Sequence, residues 1–455
     1  MALASSSTVL DVPTLVSQLM SLERRPIDKL NTKVASYQTK ISSFGTLSGL
    51  VSSFQTAVQG LKSSLQGYSA TPSDASVFSA TAANTAAAGL YSLNVTKLAQ
   101  AQNLVAVGQA SDTSAISSAA STVAFTIGAT STDIAIPAGA SLQDIRSAIN
   151  AANLGVTATI VNDGSGTPYR LALTSTATGV SNGISHITIQ AGGDDNINNL
   201  LAYNPTANAP ATPTLTQTVA AQNAEFTVNG IAITSASNTV SGAIQGVTLT
   251  LKSLTTTPAT LTVARDTSAI ETAAAKFVDT YNALVSQLKS RSAYGSGDSA
   301  APVLAGDNTV RQMLDQLRGV FSTPASGGTL TYLAEAGITT QAGGSLKLDS
   351  SKFGAALAGN FNDVANLFSS ATGFATRLDA WATSVVQAGG LIDSRTTSLN
   401  ASIKGYNDQI DKLEIRMKAL QKQFTTTYSN LNMLLSRMNA TGAYLTSQFS
   451  KNTTS

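Results

Sequence analysis

The sequence predicts an elongated α+β multidomain chain: long helical coiled-coil termini, a mixed and mainly helical middle layer, and inserted β-rich outer domains. Three observations predict it. Apolar residues recur at steps of three and four at both ends of the chain. A charge-poor stretch between them alternates apolar and polar residues. The helical period then returns at Ser268. A length of 455 residues fits about three domains.

The C-terminal repeat is the longer. Leu399, Ile403, Tyr406, Ile410, Leu413, Met417, Leu420, Phe424, Leu431, Leu434, Met438 and Leu445 stand at heptad steps, and Thr427 and Thr441 complete the alternation with polar residues. Gly405 and Gly442 are its only helix-weakening positions. One helix cannot bury a stripe of roughly six heptads against itself, so the stripe demands a partner. At the other end, Asp11 is placed to cap a helix with Pro13 in its first turn and Leu15, Val16, Leu19, Met20 and Leu22 on one face. Pro26 should break or restart that helix. Ile27, Leu30, Val34, Tyr37, Ile41, Phe44, Leu47, Val51, Phe54, Val58 and Leu61 then repeat at threes and fours, with one skip at Phe44.

Matching periods at the two termini predict antiparallel pairing and contact with other subunits. The candidate assembly seam is Ile27, Leu30, Val34, Tyr37 and Ile41 with Leu399, Ile403, Ile410, Leu413, Met417, Leu420, Phe424, Leu431, Leu434 and Met438. Two unrelated helices, each packed on its own domain, are the plainer alternative. Deleting 1–65 and 391–455 is expected to leave a folded core that oligomerises poorly.

Between the termini, residues 107–262 hold ten charged side chains: Asp112, Asp133, Asp144, Arg146, Asp163, Arg170, Asp194, Asp195, Glu225 and Lys252. Strands are predicted at 91–95, 123–127, 134–136, 156–161, 169–173, 226–228, 231–233, 247–251 and 261–263. Ser141 with Asp144 reads as a capping box, Asp163-Gly164 as a turn, and Asn229-Gly230 as a two-residue hairpin turn. A Pro-rich stretch from Tyr203 to Pro213 reads as a linker between two β units. From Ser268, with Glu271 as a second capping box, Ile270, Ala274, Phe277, Val278, Tyr281, Leu284, Val285 and Leu288 form a helical face. Further helices follow near Asp307, Phe361 and Phe374. The expected domains are 1–65 (first half of the leg), 66–106 (first part of a middle domain), 107–204 and 205–264 (β-rich plate), 265–389 (rest of the middle domain) and 390–455 (second half of the leg).

Chemistry is sparse. The chain has no cysteine and one histidine, His186, in a strand-like stretch. That excludes disulfides and thiolate catalysis and gives no local support to a zinc site or a serine triad. Asp194, Asp195, Asn196 and Asn198 offer oxygen ligands without EF-hand spacing or a closing Glu, so a solvated loop is the simpler reading. Asp298, Asp307 and Asp349 read as loop and cap residues. The sequence leaves carboxylate pairs for glycoside hydrolysis open, but nothing marks a pair, and the aromatic content of 5% is low for a sugar cleft. A net charge of +2 draws neither nucleic acid nor anionic membrane. Lys404, Lys412, Arg416, Lys418 and Lys422, interleaved with Asp408, Asp411 and Glu414, read as a solvated helix face. No cofactor or metal is expected, no membrane insertion, and no enzymatic activity. The first ten residues lack the basic and apolar regions of a cleaved leader.

Residues 10–26 (LDVPTLVSQLMSLERRP) resemble the opening of the bacterial flagellar filament cap family, the hook-associated protein 2 family. Residues 91–101 (YSLNVTKLAQA), 226–231 (FTVNGI), 237–240 (SNTV), 246–251 (GVTLTL), 277–284 (FVDTYNAL), 304–307 (LAGD), 346–349 (LKLD) and 438–449 (MNATGAYLTSQF) resemble the family's later motifs in order. The match is weakest over 108–200. The resemblance implies a structural, non-catalytic subunit that oligomerises, five per working cap, into a plate with legs at the filament tip. Its implied partners are flagellin, which folds and inserts beneath the cap, and a flagellar export chaperone. Its implied export route is the flagellar type III apparatus, to a secreted location on the flagellum. Another axial flagellar protein, such as a hook–filament junction protein, is one alternative. A surface adhesin whose β units bind host glycans is another.

Overall fold

The computed structural model describes residues 10–205, 215–293 and 301–452. The chain divides into two compact units, one from Met1–Leu65 with Thr267–Ser455 and one from Gln66–Asp266. Asp11 caps the first helix, α1 (Val12–Glu23), accepting from the Thr14 amide at 3.2 Å. Pro26, in the first turn of α2 (Arg25–Ser64), has no N–H to give the preceding turn, and the two helices meet at Arg24.

The second helix changes environment along its length. Ile27 is buried, and Leu30, Val34, Tyr37 and Ile41 are half-buried. From Phe44 through Leu47, Val51, Phe54, Val58 and Leu61 the stripe is fully buried. Each such side chain contributes about 1.5–3 kcal/mol relative to exposure. Residues 44–65 therefore belong to the main core rather than to a detachable leg. A trim that leaves the core whole has to stop short of Tyr37.

The second unit begins with β1 (Tyr68–Pro72), β2 (Phe78–Ala82), β3 (Gly89–Lys97) and β4 (Asn103–Ala106). Next come β5 (Ser121–Ile127), β6 (Thr130–Ile136), α3 (Leu142–Ala151), β7 (Val156–Asn162), β8 (Tyr169–Ser175), β9 (Ile184–Ile189) and α4 (Asp195–Leu201). It ends with β10 (Leu215–Val219), β11 (Ala224–Val228), β12 (Ile231–Ser235), β13 (Thr239–Ile244), β14 (Val247–Leu251) and β15 (Ala259–Arg265).

Sheets ordered β1-β15-β3-β11-β12 and β13-β14-β2 enclose one core around Phe78, Leu93, Phe226, Leu249 and Leu261. Sheets ordered β10-β4-β8-β7 and β6-β5-β9, with α3 and α4, enclose a second around Phe125, Ile145, Leu173, Ile187 and Leu201. Strands from 66–106 thus pair with strands from 215–265, and β10 returns past the Pro-rich stretch to pair with β4. That stretch falls largely on residues outside those described.

Local chemistry sets these elements. Ser141 and Asp144 form the reciprocal capping box of α3. Asn229 and Gly230, at φ of +50° and +82°, make the tight turn that pairs Val228 with Ile231. Residues 195–201 differ from the expected loop: they form α4, which buries Ile197, Leu200 and Leu201. A short Asn-rich helix has weak intrinsic propensity, and tertiary packing decides it.

The chain then re-enters the first unit as α5 (Thr267–Ser292), α6 (Asn308–Ser322), β16 (Ile338–Thr340), β17 (Leu346–Leu348), α7 (Ser350–Gly359), α8 (Phe361–Ser369), α9 (Phe374–Val386) and α10 (Leu391–Asn452). The predicted α5 face, from Ile270 to Leu288, is buried throughout. Phe54 of α2 lies at its centre, with ring centroids 5.8 Å from Phe277, 5.9 Å from Tyr281 and 6.2 Å from Trp381. Asp307 caps α6, and Asp349 caps α7. Asp298 lies outside the described residues. The Asp307 carboxylate also takes Arg395 Nε at 3.1 Å and Nη2 at 2.8 Å, which fixes the first turns of α10 to the core.

Candidate functional site

Helix α10 has 62 residues and rises roughly 93 Å at 1.5 Å per residue. Its apolar stripe meets three environments in succession. Ile392 and Leu399 are buried in the main core. Ile403 is half-buried, and Tyr406 lies beside Tyr37 of α2 at 5.6 Å between centroids, with Lys33 over its ring at 5.4 Å. Farther on, α1 takes over. Val12, Val16, Met20, Ile27 and Met417 form a separate small core, flanked by Ile410, Leu413, Leu420, Phe424 and Tyr428. Arg24 Nη2 donates to Glu414 Oε1 at 2.5 Å, and the Leu10 amide donates to Asn432 Oδ1 at 3.1 Å. These contacts hold α1 antiparallel to α10.

After Phe424 the half-buried position is Tyr428, while Thr427 is exposed. A straight helix of 3.6 residues per turn drifts from a 3.5 repeat, and the face toward α1 follows the drift. Past Tyr428 the stripe has no covering helix among the described residues. Leu431, Leu434, Met438 and Leu445 are exposed, Leu434 at 55% and Met438 at 61%. Of the candidate seam, Leu399 lies in the main core, Ile27, Ile410, Leu413, Met417, Leu420 and Phe424 join the small core with α1, and Leu431, Leu434 and Met438 stand open.

The other polar candidates have structural tasks. Asp194 is buried and caps α4: it accepts from the amides of Asn196 and Ala119, both at 2.7 Å, from the Ser118 hydroxyl at 2.7 Å, and from the Ser118 amide. The Ser118 hydroxyl and these amides hold its carboxyl down to about 2. Arg170 and Ser165 bind Asp163 in the β7–β8 turn and hold its carboxyl well below the usual range. His186 lies on β9 opposite Thr126. Among the described residues there is no group of three or more His, Asp or Glu placed to hold a metal ion. None of the described helices is long and apolar enough to cross a membrane. Lys404 and Asp408 approach to 3.5 Å on the outer face of α10.

Comparison with known proteins bears on the same terminal helices. The family model "Flagellar hook-associated protein 2 N-terminus" matches residues 8–102, and the model of its C-terminus matches 221–440. The flagellar hook-associated protein 2 of Escherichia coli K12 is 35% identical over 98% of this chain and 97% of its own length. The chain belongs to the flagellar hook-associated protein 2 family. As a member it is a structural component of the flagellar filament cap.

The A-type flagellar hook-associated protein 2 of Pseudomonas aeruginosa is 31% identical over 96% of each chain. The crystal structure of the D1-D2-D3 domains of the flagellar cap protein FliD from Escherichia coli matches at a TM-score of 0.68 and 36% identity, over 79% of this chain and 99% of that one. Residues 122–177 also match the "Flagellin hook IN motif". They cover all but the first residue of β5, and the whole of β6, α3, β7 and β8, the region where the sequence motifs of the hook-associated protein 2 family are faintest.

Proposed function

We propose that this chain acts as one subunit of a homo-oligomeric cap at the distal tip of the flagellar filament. Its terminal helices act as legs that meet flagellin, and the Gln66–Asp266 unit supplies the plate. The observation that carries this reading is the apolar stripe of α10, which among the described residues runs on past α1. Leu431, Leu434, Met438 and Leu445 are exposed on the helix whose Met417 and Leu420 are covered by α1. Leu and Met repeated at heptad spacing on an open helix face gain stability when another chain covers them. Flagellin emerging beneath the cap then meets a surface that is completed only in the assembly. Five subunits per cap, an export chaperone and passage through the flagellar type III apparatus belong to the same reading and are supported by family membership.

The test is a trimmed chain lacking 1–36 and 407–455, which keeps Phe44–Leu61 and Leu399 in the core. Light scattering should find it folded and monomeric where the full chain is oligomeric, and it should not cap filaments. An unchanged oligomer with capping retained would remove the terminal helices from the mechanism.

A further inference from the structure

Helix α1 is held by its seam on α10 and by its join to α2. The seam is a small core of its own: Val12, Val16 and Met20 of α1, Ile27 of α2 and Met417 of α10, none of which belongs to the main core. A helix of 12 residues is marginal by itself, so α1 depends on that seam. The seam is also incompletely packed. A groove of about 610 Å³ runs beside it, lined by Val12, Val16 and Met20 and, from α10, by Gln421, Thr425 and Ser429. Apolar side chains along an open groove lose part of the dispersion attraction of a closed core, which lowers the cost of opening.

The join is a single residue. Arg24 keeps helical dihedrals, with φ of −77° and ψ of −15°. Its amide donates to the Met20 carbonyl at 3.0 Å, and its carbonyl accepts from the Asp28 amide at 3.2 Å. Pro26 lacks the one N–H that would bind the Leu22 carbonyl across this point. Helix α1 is therefore free to swing about Arg24 with both helices whole. Just beyond that hinge, Leu30 and Val34 of α2 and Ile403 of α10 are half-buried and belong to neither core.

We propose that α1 is exchanged between subunits: swung out about Arg24, it takes the α10 seam of a second copy of this chain. This rests on the cap function proposed above and names a contact by which neighbouring subunits hold one another. The partner is identified by fit, because one chain already shows what fills the seam. Val16, Met20 and Met417 share a cluster, Arg24 binds Glu414, and the Leu10 amide binds Asn432 Oδ1. A second copy presents the identical surface, so the exchange gives up none of these contacts. It adds the half-open residues beside the hinge, which two neighbouring chains bury together. Subunits side by side in a cap also meet one another's α1 at high effective concentration, which favours exchange over the closed single chain.

The chain has no cysteine, so introduced ones report contacts without background. Arg24→Cys and Glu414→Cys are made as separate full-length chains and as a same-chain pair. A short bis-maleimide joins cysteines that meet, a denaturing gel counts the chains joined, and circular dichroism checks the fold. A filament-capping assay of the wild-type chain runs alongside. The two single variants, co-expressed, should give a two-chain product at least about tenfold above either variant alone. The same-chain pair should close on itself in dilute solution. As its concentration rises, multi-chain products should appear and the self-closed product should fall by the same share. A co-expressed mixture with no more two-chain product than its separate variants overturns the exchange. So does a same-chain pair that stays self-closed at every concentration, or one that never closes. Multi-chain products that leave the self-closed share unchanged show docking without exchange and overturn it too. If exchange fails while the wild-type chain caps filaments, the cap function stands. A wild-type chain that neither self-associates nor caps overturns both.

Discussion

Met417→Ala tests whether α1 is held by its own small core. Met417 is buried against Val12, Val16, Met20 and Ile27, in a cluster separate from the main core around Phe54. Truncating a buried Met costs about 2–5 kcal/mol, and the half-buried neighbours of this cluster place the loss near 2–3 kcal/mol. At about 1.4 kcal/mol per factor of ten, the opening of α1 should become ~30- to 150-fold more frequent. Native-state hydrogen exchange reads this directly. Amides of Val12–Glu23 should exchange faster by that factor, while amides of α5, in the main core, keep their rates. No change in α1, or an equal rise in α5, would refute a separately held α1.

Three further outcomes follow from the packing and the caps. Phe54→Ala, at the aromatic centre of the first unit, should cost about 3–5 kcal/mol and lower the urea midpoint, and a midpoint within error of wild type would contradict its placement. Asp194 has its folded pKa depressed to about 2, so its contribution is complete above the ordinary carboxylate value of about 4 and is lost as pH falls toward 2. Melting of the Gln66–Asp266 unit should fall over that window, and Asp194→Asn should both lower stability at neutral pH and flatten the slope; an unchanged slope argues against the caps at Ser118, Ala119 and Asn196. Gly230→Ala places a Cβ at φ +82° and should destabilise the β11–β12 hairpin by ~1 kcal/mol, measured as faster local exchange at Val228 and Ile231.

Much of the fold was legible because local rules and tertiary packing agree. The Asp11 cap, the restart at Pro26, the Ser141–Asp144 box and the Asn229-Gly230 turn are short-range devices that need no distant partner. The faces of α5, α6, α8 and α9 carry a clean helical period because one side of each is buried.

What escaped depends on remote contacts. β1 and β2 lack strong alternation and exist by pairing with β15 and β14. α4 is held by the apolar trio Ile197, Leu200 and Leu201 against its own Asn content. β10 pairs with β4 across more than a hundred residues. At the candidate site, the heptad stripe was visible from Leu399 to Leu445, but sequence gives each apolar position equal weight. Only the fold separates Leu399, buried in the core, from Met417, covered by α1, and from Met438, left open. The same distinction divides α2, whose Ile27 and Leu47 look alike in sequence yet serve the small core with Met417 and the main core.

The open end of α10, with Leu434 and Met438 exposed, carries the cap assignment. Leu434→Asp with Met438→Asp alters two exposed residues and should leave the isolated chain folded. Expressed in a strain whose own cap gene is deleted, this variant should leave hooks without filaments and monomeric flagellin in the medium, where the wild-type chain restores filaments. Filaments of normal length from the double variant would contradict the assignment of the α10 stripe to cap assembly.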